Sequence, residues 1–243
     1  MDTCFEKGIA FILEGDTEKV FYTTLLNHLC AKHNGVTFEK NTDPASGEIF
    51  YTLGTPEKKV LIMFNIVGTI SQITNSGNWF ERRCYGRFKE IEWVVFLCYD
   101  TDNYTPNISK FYEDDWKELR KTISKHKSCS IIDLAAQADI EDIMLLDKDS
   151  IFNFLEMAPI PIPAGSKGKM KMKKLFRAKG RGCAYHEGNR AEPLIKVRNR
   201  GETHGIRRRQ NLLNPRNTDL YGDQQKHMGS FERQILGKLL PLL

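Results

Sequence analysis

The sequence predicts an α/β domain, a mostly parallel central sheet flanked by helices, followed by a basic C-terminal extension. Three observations predict it. Apolar runs of strand length alternate with segments of helical periodicity, the pattern of a sheet covered on both faces. Two of those runs end on acidic residues at the point where the chain would leave the sheet. Charge also divides the chain: residues 1–150 hold 17 Lys+Arg and 24 Asp+Glu, a balance of −7, whereas residues 151–243 hold 19 and 7, a balance of +12.

The elements follow in order. Gly8 to Leu13 is a continuous apolar run that meets Glu14-Gly15, as a strand buried on both faces would. Asp16 or Thr17 caps a helix reaching about Lys32, with Val20, Phe21, Thr24, Leu25, His28 and Leu29 on one face. Asn34-Gly35 stops it, and the stretch through Gly47 reads as loop, with Glu48 to Leu53 a short strand. Lys59 to Val67 is the next strand, and Gly68-Thr69 opens a short helix through Ile73. Asn75-Ser-Gly-Asn78 reads as a turn, with helical spacing resuming from Trp79 to Lys89. Glu92 to Tyr99 has the strongest strand character and ends on Asp100-Thr101-Asp102. A helix over Asp114 to His126, a strand over Cys129 to Ala135 and a helix starting at Ile140 complete a domain placed at residues 1–157. Ala158 to Gly165 carries three closely spaced prolines and must be extended. It opens the basic extension, residues 158–243, in which Ser166 to Lys179 is Lys-rich and Arg198 to Gln225 has little apolar periodicity.

Composition excludes several classes. With 40% hydrophobic and 28% charged residues in 243, the chain can bury its own core without staples. No apolar run approaches the roughly 20 residues that span a bilayer, and no secretory leader is visible, so a cytoplasmic protein away from membranes is expected. The six cysteines stand singly, without the two-residue spacing of zinc or redox motifs, and are expected as reduced thiols.

The chemistry is carried by carboxylates. Glu14, Asp100 and Asp102 each follow a strand-like run, and neighbouring parallel strands, about 4.8 Å apart, would bring residues 86 apart in sequence onto one rim. With Thr101 between them, Asp100 and Asp102 project to the same side of an extended chain. Hard oxygen donors favour Mg2+ or Mn2+, one ion or two. Glu18, Glu141 and Asp142 are candidate further ligands, each equally readable as a first-turn helix acid. An acidic body would repel a polyanion, so Lys167, Lys169, Lys171, Lys173, Lys174, Arg177, Lys179 and Arg181 are the candidates for holding nucleic acid, with Phe176 and Tyr185 available for stacking. His186 is read as exposed rather than catalytic.

The run Phe11-Ile-Leu-Glu14-Gly15-Asp-Thr-Glu18-Lys-Val-Phe21, followed by Val94-Val-Phe-Leu-Cys-Tyr-Asp100-Thr-Asp102, resembles the TOPRIM domain over about residues 8 to 146. The second glutamate four residues on is similar to the OLD-type nucleases and the small TOPRIM effectors of bacterial anti-phage systems. The resemblance implies a TOPRIM/Rossmann-like fold and a magnesium-dependent nuclease cutting DNA or RNA, tRNA included. It implies Glu14 as general acid or base and Asp100 and Asp102 as metal ligands, with Glu18, Glu141 and Asp142 as the extra ligands of a two-metal site. It further implies an abortive-infection role beside an ABC-type ATPase. No Gly-x-x-x-x-Gly-Lys-Ser/Thr run is present, so that ATPase is expected as a separate chain, and a homo-oligomer is compatible with the sequence. Three alternatives stand beside this reading. A phosphatase or a nucleotide-sugar transferase would use the Asp-x-Asp alone. A catalytically silent TOPRIM-like module would dock on or sense the partner ATPase.

Overall fold

The computed structural model describes residues 5–31, 33–100, 110–136, 139–180 and 184–186. Six strands form one sheet in the order β2-β3-β4-β1-β5-β6. These are β1 (Lys7–Leu13), β2 (Thr37–Thr42), β3 (Ile49–Gly54), β4 (Lys59–Ile66), β5 (Glu92–Asp100) and β6 (Cys129–Ala136). β4, β1, β5 and β6 run parallel, while β3 and β2 continue the sheet antiparallel beyond β4. The expected α/β class and mostly parallel sheet are therefore observed.

β1 lies in the interior of the sheet, and Ile9 to Leu13 are fully buried. That is why the sequence there is apolar at every position rather than at alternate ones: both faces are covered. On one face pack α1 (Asp16–Cys30) and α4 (Ile140–Met144), against Ile9, Phe11, Leu13, Phe96 and Cys98. On the other, α2 (Ile73–Trp79), its π-helical continuation Phe80–Tyr85 and α3 (Lys110–Ile123) cover Ala10, Ile12, Val95 and Leu97. Phe64, Phe11 and Phe96 share one register across β4, β1 and β5 and stack at 5.0 Å centroid spacing on each side of Phe11. Each such aromatic pair adds about 0.5–1.5 kcal/mol beyond its buried area, so this ladder helps fix the register of the three strands that bear the site.

Two local expectations are corrected. Thr37–Thr42, read as loop, is an edge strand paired with β3. Its alternating exposed and half-buried residues leave no apolar run to find. Asn75 to Asn78, read as a turn, lies inside α2. A Cβ on Gly77 would stand 3.4 Å from Thr122 and 3.6 Å from Leu119 of α3, so small residues let the two helices approach, and tertiary packing overrides local turn preference.

Past β6, α5 (Lys148–Leu155) and α6 (Gly168–Lys179) form a third apolar cluster from Ile151, Phe152, Leu155, Met172, Leu175, Phe176 and Tyr185. The Lys-rich run is thus an amphipathic helix with a buried face. Cys30, Cys84, Cys98 and Cys129 are free thiols, as expected. No helix among the described residues is long and apolar enough to cross a membrane.

Candidate active site

Parallel pairing sets the ends of β1 and β5 side by side, with Leu13 opposite Cys98. Glu14, the first residue beyond β1, donates its N–H to Cys98 O (3.1 Å), and its own carbonyl accepts from Gly68 N (2.8 Å). The backbone is therefore clamped on both sides, and the carboxylate is directed across the rim, where Oε2 accepts the N–H of Asp100 at 3.1 Å. Residues 14 and 100 meet as the sequence predicts.

Asp100 closes β5. Its Oδ1 is buried and has no hydrogen-bond partner among the described residues. Burial, then the nearby charges of Glu18, Glu14, Glu141 and Asp139, push its pKa from 3.8 up to about 10. Glu18 sits in the first turn of α1, where its carboxylate accepts from the backbone N–H groups of Gly15 and of Glu18 itself, half of a capping box. Burial outweighs those bonds and, with Glu14 and Glu141, raises its pKa to about 7. Gly15 leaves room for this arrangement, since a Cβ there would stand 3.0 Å from Glu18 Oε2.

The fourth member arrives from beyond β6. Asp139 caps α4, its Oδ1 accepting from Asp142 N (3.0 Å), and this turns Glu141 inward until it is 3% exposed. Glu141 Oε1 accepts the hydroxyl of Tyr185 at 2.7 Å. Asp142 faces the other way: Oδ2 accepts from Gly168 N and Oδ1 pairs with Lys171 Nζ, both at 2.8 Å. Asp139 Oδ2 also reaches α6, accepting from Lys169 N at 3.0 Å. Burial raises the Asp139 pKa. So Glu14 and Asp100 meet, the charges of Glu18 and Glu141 reach Asp100, and Asp142 is engaged with the basic helix. Asp102 and Arg181 lie outside the described residues, as does the Arg198 to Gln225 stretch.

Two features go beyond the sequence reading: the Asp139 cap and the Tyr185–Glu141 hydrogen bond. Asp139 was legible in principle, as a capping residue directly before the apolar-acidic Ile140-Glu-Asp-Ile run. Tyr185 was legible only as an aromatic, because its partner lies 44 residues away.

Among the described residues, no three His, Cys, Asp or Glu side chains are placed so as to hold a metal ion. Electrostatic reach exceeds coordination distance, about 2.0–2.6 Å to oxygen, so groups that repel one another can still stand too far apart to share an ion. The donor chemistry fits a divalent cation nonetheless: Asp100 Oδ1 is a buried carboxylate oxygen with no hydrogen-bond partner among the described residues, and the Glu14 carboxylate stands beside it.

Three of the basic side chains are engaged within the chain. Lys171 pairs with Asp142, Lys174 Nζ donates to Ala164 O, and Lys179 Nζ donates to Glu156 O at 2.8 Å. Lys174, Arg177 and Lys179 are exposed, and Lys167, Lys169 and Lys173 half-buried. Stacking by Phe176 and Tyr185 is corrected: both rings are buried and meet edge to face at 5.4 Å, because the apolar face of α6 needs them. His186 is exposed, as expected.

No protein-family model matches the chain, and no curated protein matches it. Among solved structures it is similar to a futalosine hydrolase mutant of Helicobacter pylori strain 26695, with a TM-score of 0.23 and 9% identity over 79% of this chain and 82% of that one. It is also similar to the 5'-methylthioadenosine/S-adenosyl homocysteine nucleosidase of Campylobacter jejuni, with a TM-score of 0.23 and 12% identity over 60% of this chain and 72% of that one. The corresponding Helicobacter pylori protein gives a TM-score of 0.21 and 12% identity over 58% and 74%. Likeness at this level carries no argument about chemistry.

Proposed function

We propose that the protein is a metal-dependent phosphodiesterase that cuts DNA or RNA, tRNA included, with Glu14 and Asp100, together with Asp102 outside the described residues, holding Mg2+ or Mn2+. One observation carries the reading: Asp100 Oδ1 is buried and unpartnered at the strand end beside Glu14, and burial, then the charges of nearby carboxyl groups, raises the Asp100 pKa to about 10. A buried group of like charges is costly unless something cationic binds there. When bound, the metal would polarise a phosphate oxygen and acidify a water.

The chain's own residues supply the rest. The clamp on the Glu14 backbone fixes where its carboxylate lies, as positioning of a general acid or base requires. Glu18, at about 7, exchanges a proton near neutral pH. Lys174, Arg177 and Lys179 on α6 offer exposed charge to a phosphate backbone, and they offset the repulsion of the acidic rim. The partner ATPase and the anti-phage role rest on the sequence resemblance alone.

The test is cleavage of DNA, RNA and tRNA in Mg2+ by the wild type, Glu14→Ala and Asp100→Ala. Loss of activity in both variants, with their folds retained, is expected. Activity surviving both removes the site. A second reading, a silent module that docks on an ATPase, is favoured by the lack of a ready ligand set among the described residues. It predicts no cleavage by the wild type under any of these conditions.

A further inference from the structure

The two sides of α6 differ in character. Met172, Leu175 and Phe176 are buried, whereas Met170, Lys174 and Arg177, spaced four and three apart, share the side opposite to them and are exposed. Residues 167–179 hold seven Lys or Arg and no Asp or Glu, so the charge of the outer side is of one sign. The helix is also fixed in place. Gly168 approaches α4 so closely that a Cβ there would stand 2.3 Å from Asp142 N, Asp142 and Asp139 accept the N–H groups of Gly168 and Lys169, and Lys171 pairs with Asp142. Those contacts occupy the start of the helix and leave Lys174, Arg177 and Lys179 outward. Lys174 Nζ and Lys179 Nζ donate to the carbonyls of Ala164 and Glu156. A carbonyl is neutral, so each ammonium keeps its whole charge and further donors, while its long side chain is already held.

We propose that the outer side of α6 is a docking surface for paired nucleic acid, duplex DNA or the helical stems of RNA, engaged through phosphate charge. The inference rests on the nuclease reading above and narrows its substrate. A rigid row of like charges complements a polyanion of high and regular charge density. From Lys174 to Lys179 the helix rises about 7.5 Å, a length over which a duplex carries about four phosphates. Single strands are held differently, in charged grooves where successive bases stack on exposed rings. Phe176 and Tyr185, the rings of this region, are buried against each other, and α6 offers a convex side instead. A membrane surface would need an exposed apolar face. That face of α6 is used in the core, and Met170 alone among the described residues of the helix is large, apolar and exposed.

The test is fluorescence anisotropy of the full chain in EDTA, where nothing is cut. A DNA duplex of about 20 base pairs is compared with a single strand of about 40 nucleotides, which carries as many phosphates. The duplex is expected to bind about tenfold more tightly or better. An RNA duplex is the second arm, and whichever duplex binds more tightly than its own strand names the source. Neutralising the outer side with Lys174→Gln, Arg177→Gln and Lys179→Gln together should lower the log–log salt slope by about 2.7, so that the variant's deficit shrinks about 40-fold between about 50 and about 200 mM salt. Lys174→Arg with Lys179→Arg keeps the charge and should keep the slope, a rescue that a merely structural role of the lysines does not predict. Removing the same charge from the exposed Lys117, Lys121 and Lys125 as glutamines should leave most of the slope, which separates α6 from net charge. Single strand, poly-glutamate or phosphatidylserine–phosphatidylcholine vesicles bound as tightly as the duplexes, or an unchanged slope in the α6 variant, overturns the inference. Cleavage in Mg2+ alongside such a result leaves the nuclease reading standing. Duplex binding that depends on α6, without cleavage by the wild type in Mg2+, keeps the docking surface and overturns the nuclease.

Discussion

Asp100→Asn tests the electrostatics of the rim without relying on catalysis. The substitution keeps the shape of the side chain and removes its ability to ionise. In the native chain Asp100 is held to a pKa of about 10, against 3.8 for an unhindered aspartate. Between those values the native state keeps a proton that the unfolded chain gives up. The native state thus binds more protons, and stability falls as pH climbs from about 4 toward 10. At pH 7.5 more than three pH units of that penalty have accumulated, at about 1.4 kcal/mol each, which sets a ceiling of about 5 kcal/mol. Relaxation of the rim and screening at its open side bring the expected gain from asparagine to about 2 kcal/mol. For a chain of this size that is a rise of roughly 4–8 °C in Tm. The backbone bond from residue 100 to Glu14 Oε2 survives, because it uses the main-chain N–H. Urea and thermal unfolding in EDTA, followed by fluorescence of the buried Trp93 and Trp116, give the comparison. Asparagine should stabilise the chain at pH 7.5, lose that advantage at pH 4 and abolish stabilisation by added Mn2+. A variant less stable than the wild type at pH 7.5 in EDTA, or a gain independent of pH, would refute the argument.

Further outcomes follow from the same structure. Because Glu18 and Asp100 hold protons without a cation, Mn2+ binding should release protons and tighten from pH 6 to pH 8; calorimetry in buffers of different ionisation enthalpy counts them. Gly168→Ala should destabilise the docked α6 by about 2–4 kcal/mol, since its Cβ meets backbone and a capping carboxylate, and the Lys-rich helix should become sensitive to trypsin. Gly8→Ala should cost several kcal/mol, because its Cβ would lie 2.6 Å from the buried Trp93 ring, and its urea midpoint should fall accordingly. In the β2–β3 turn, Asp43 accepts from Ala45 N and Ser46 Oγ and pairs with Arg87, which lowers its pKa to about 2. The stabilisation by Asp43 is present above about pH 4 and lost as pH falls toward 2, so its carboxyl carbon should titrate by NMR near 2 rather than 3.8.

The parallel half of the sheet was legible because burial on both faces writes itself into the sequence. Ile9 to Leu13 and Trp93 to Tyr99 are apolar throughout, and such runs carry a strand signal even without alternation. The meeting of Glu14 and Asp100 followed from strand ends alone. The turn misread at Asn75 to Asn78 failed for the opposite reason: Ser76 and Gly77 are buried by contact with α3, a fact about a partner some 45 residues away. Thr37–Thr42 pairs at an edge with little buried surface, so its strand state is set by β3 and not by its own side chains. The aromatics on the basic run failed by chemistry. Phe176 and Tyr185 among lysines look like a stacking surface, yet a helix with Met172 and Leu175 on one face must bury that face somewhere.

How the charges are arranged at the rim separates this site from an ordinary polar network. The start of α6 meets Asp139 and Asp142 with the N–H groups of Gly168 and Lys169 and with the Lys171 ammonium, and so gives that outer pair donors. Among the described residues, no ion pair reaches Glu14, Glu18 or Asp100. Burial comes first, and two like charges about 6 Å apart at an effective dielectric near 20 would add a repulsion of about 3 kcal/mol, so Asp100 keeps its proton to about pH 10 instead of standing ionised beside Glu14 and Glu18. On the proposed reading a divalent cation would take the place of the protons held there, and hard carboxylate oxygens are the donors that Mg2+ and Mn2+ prefer.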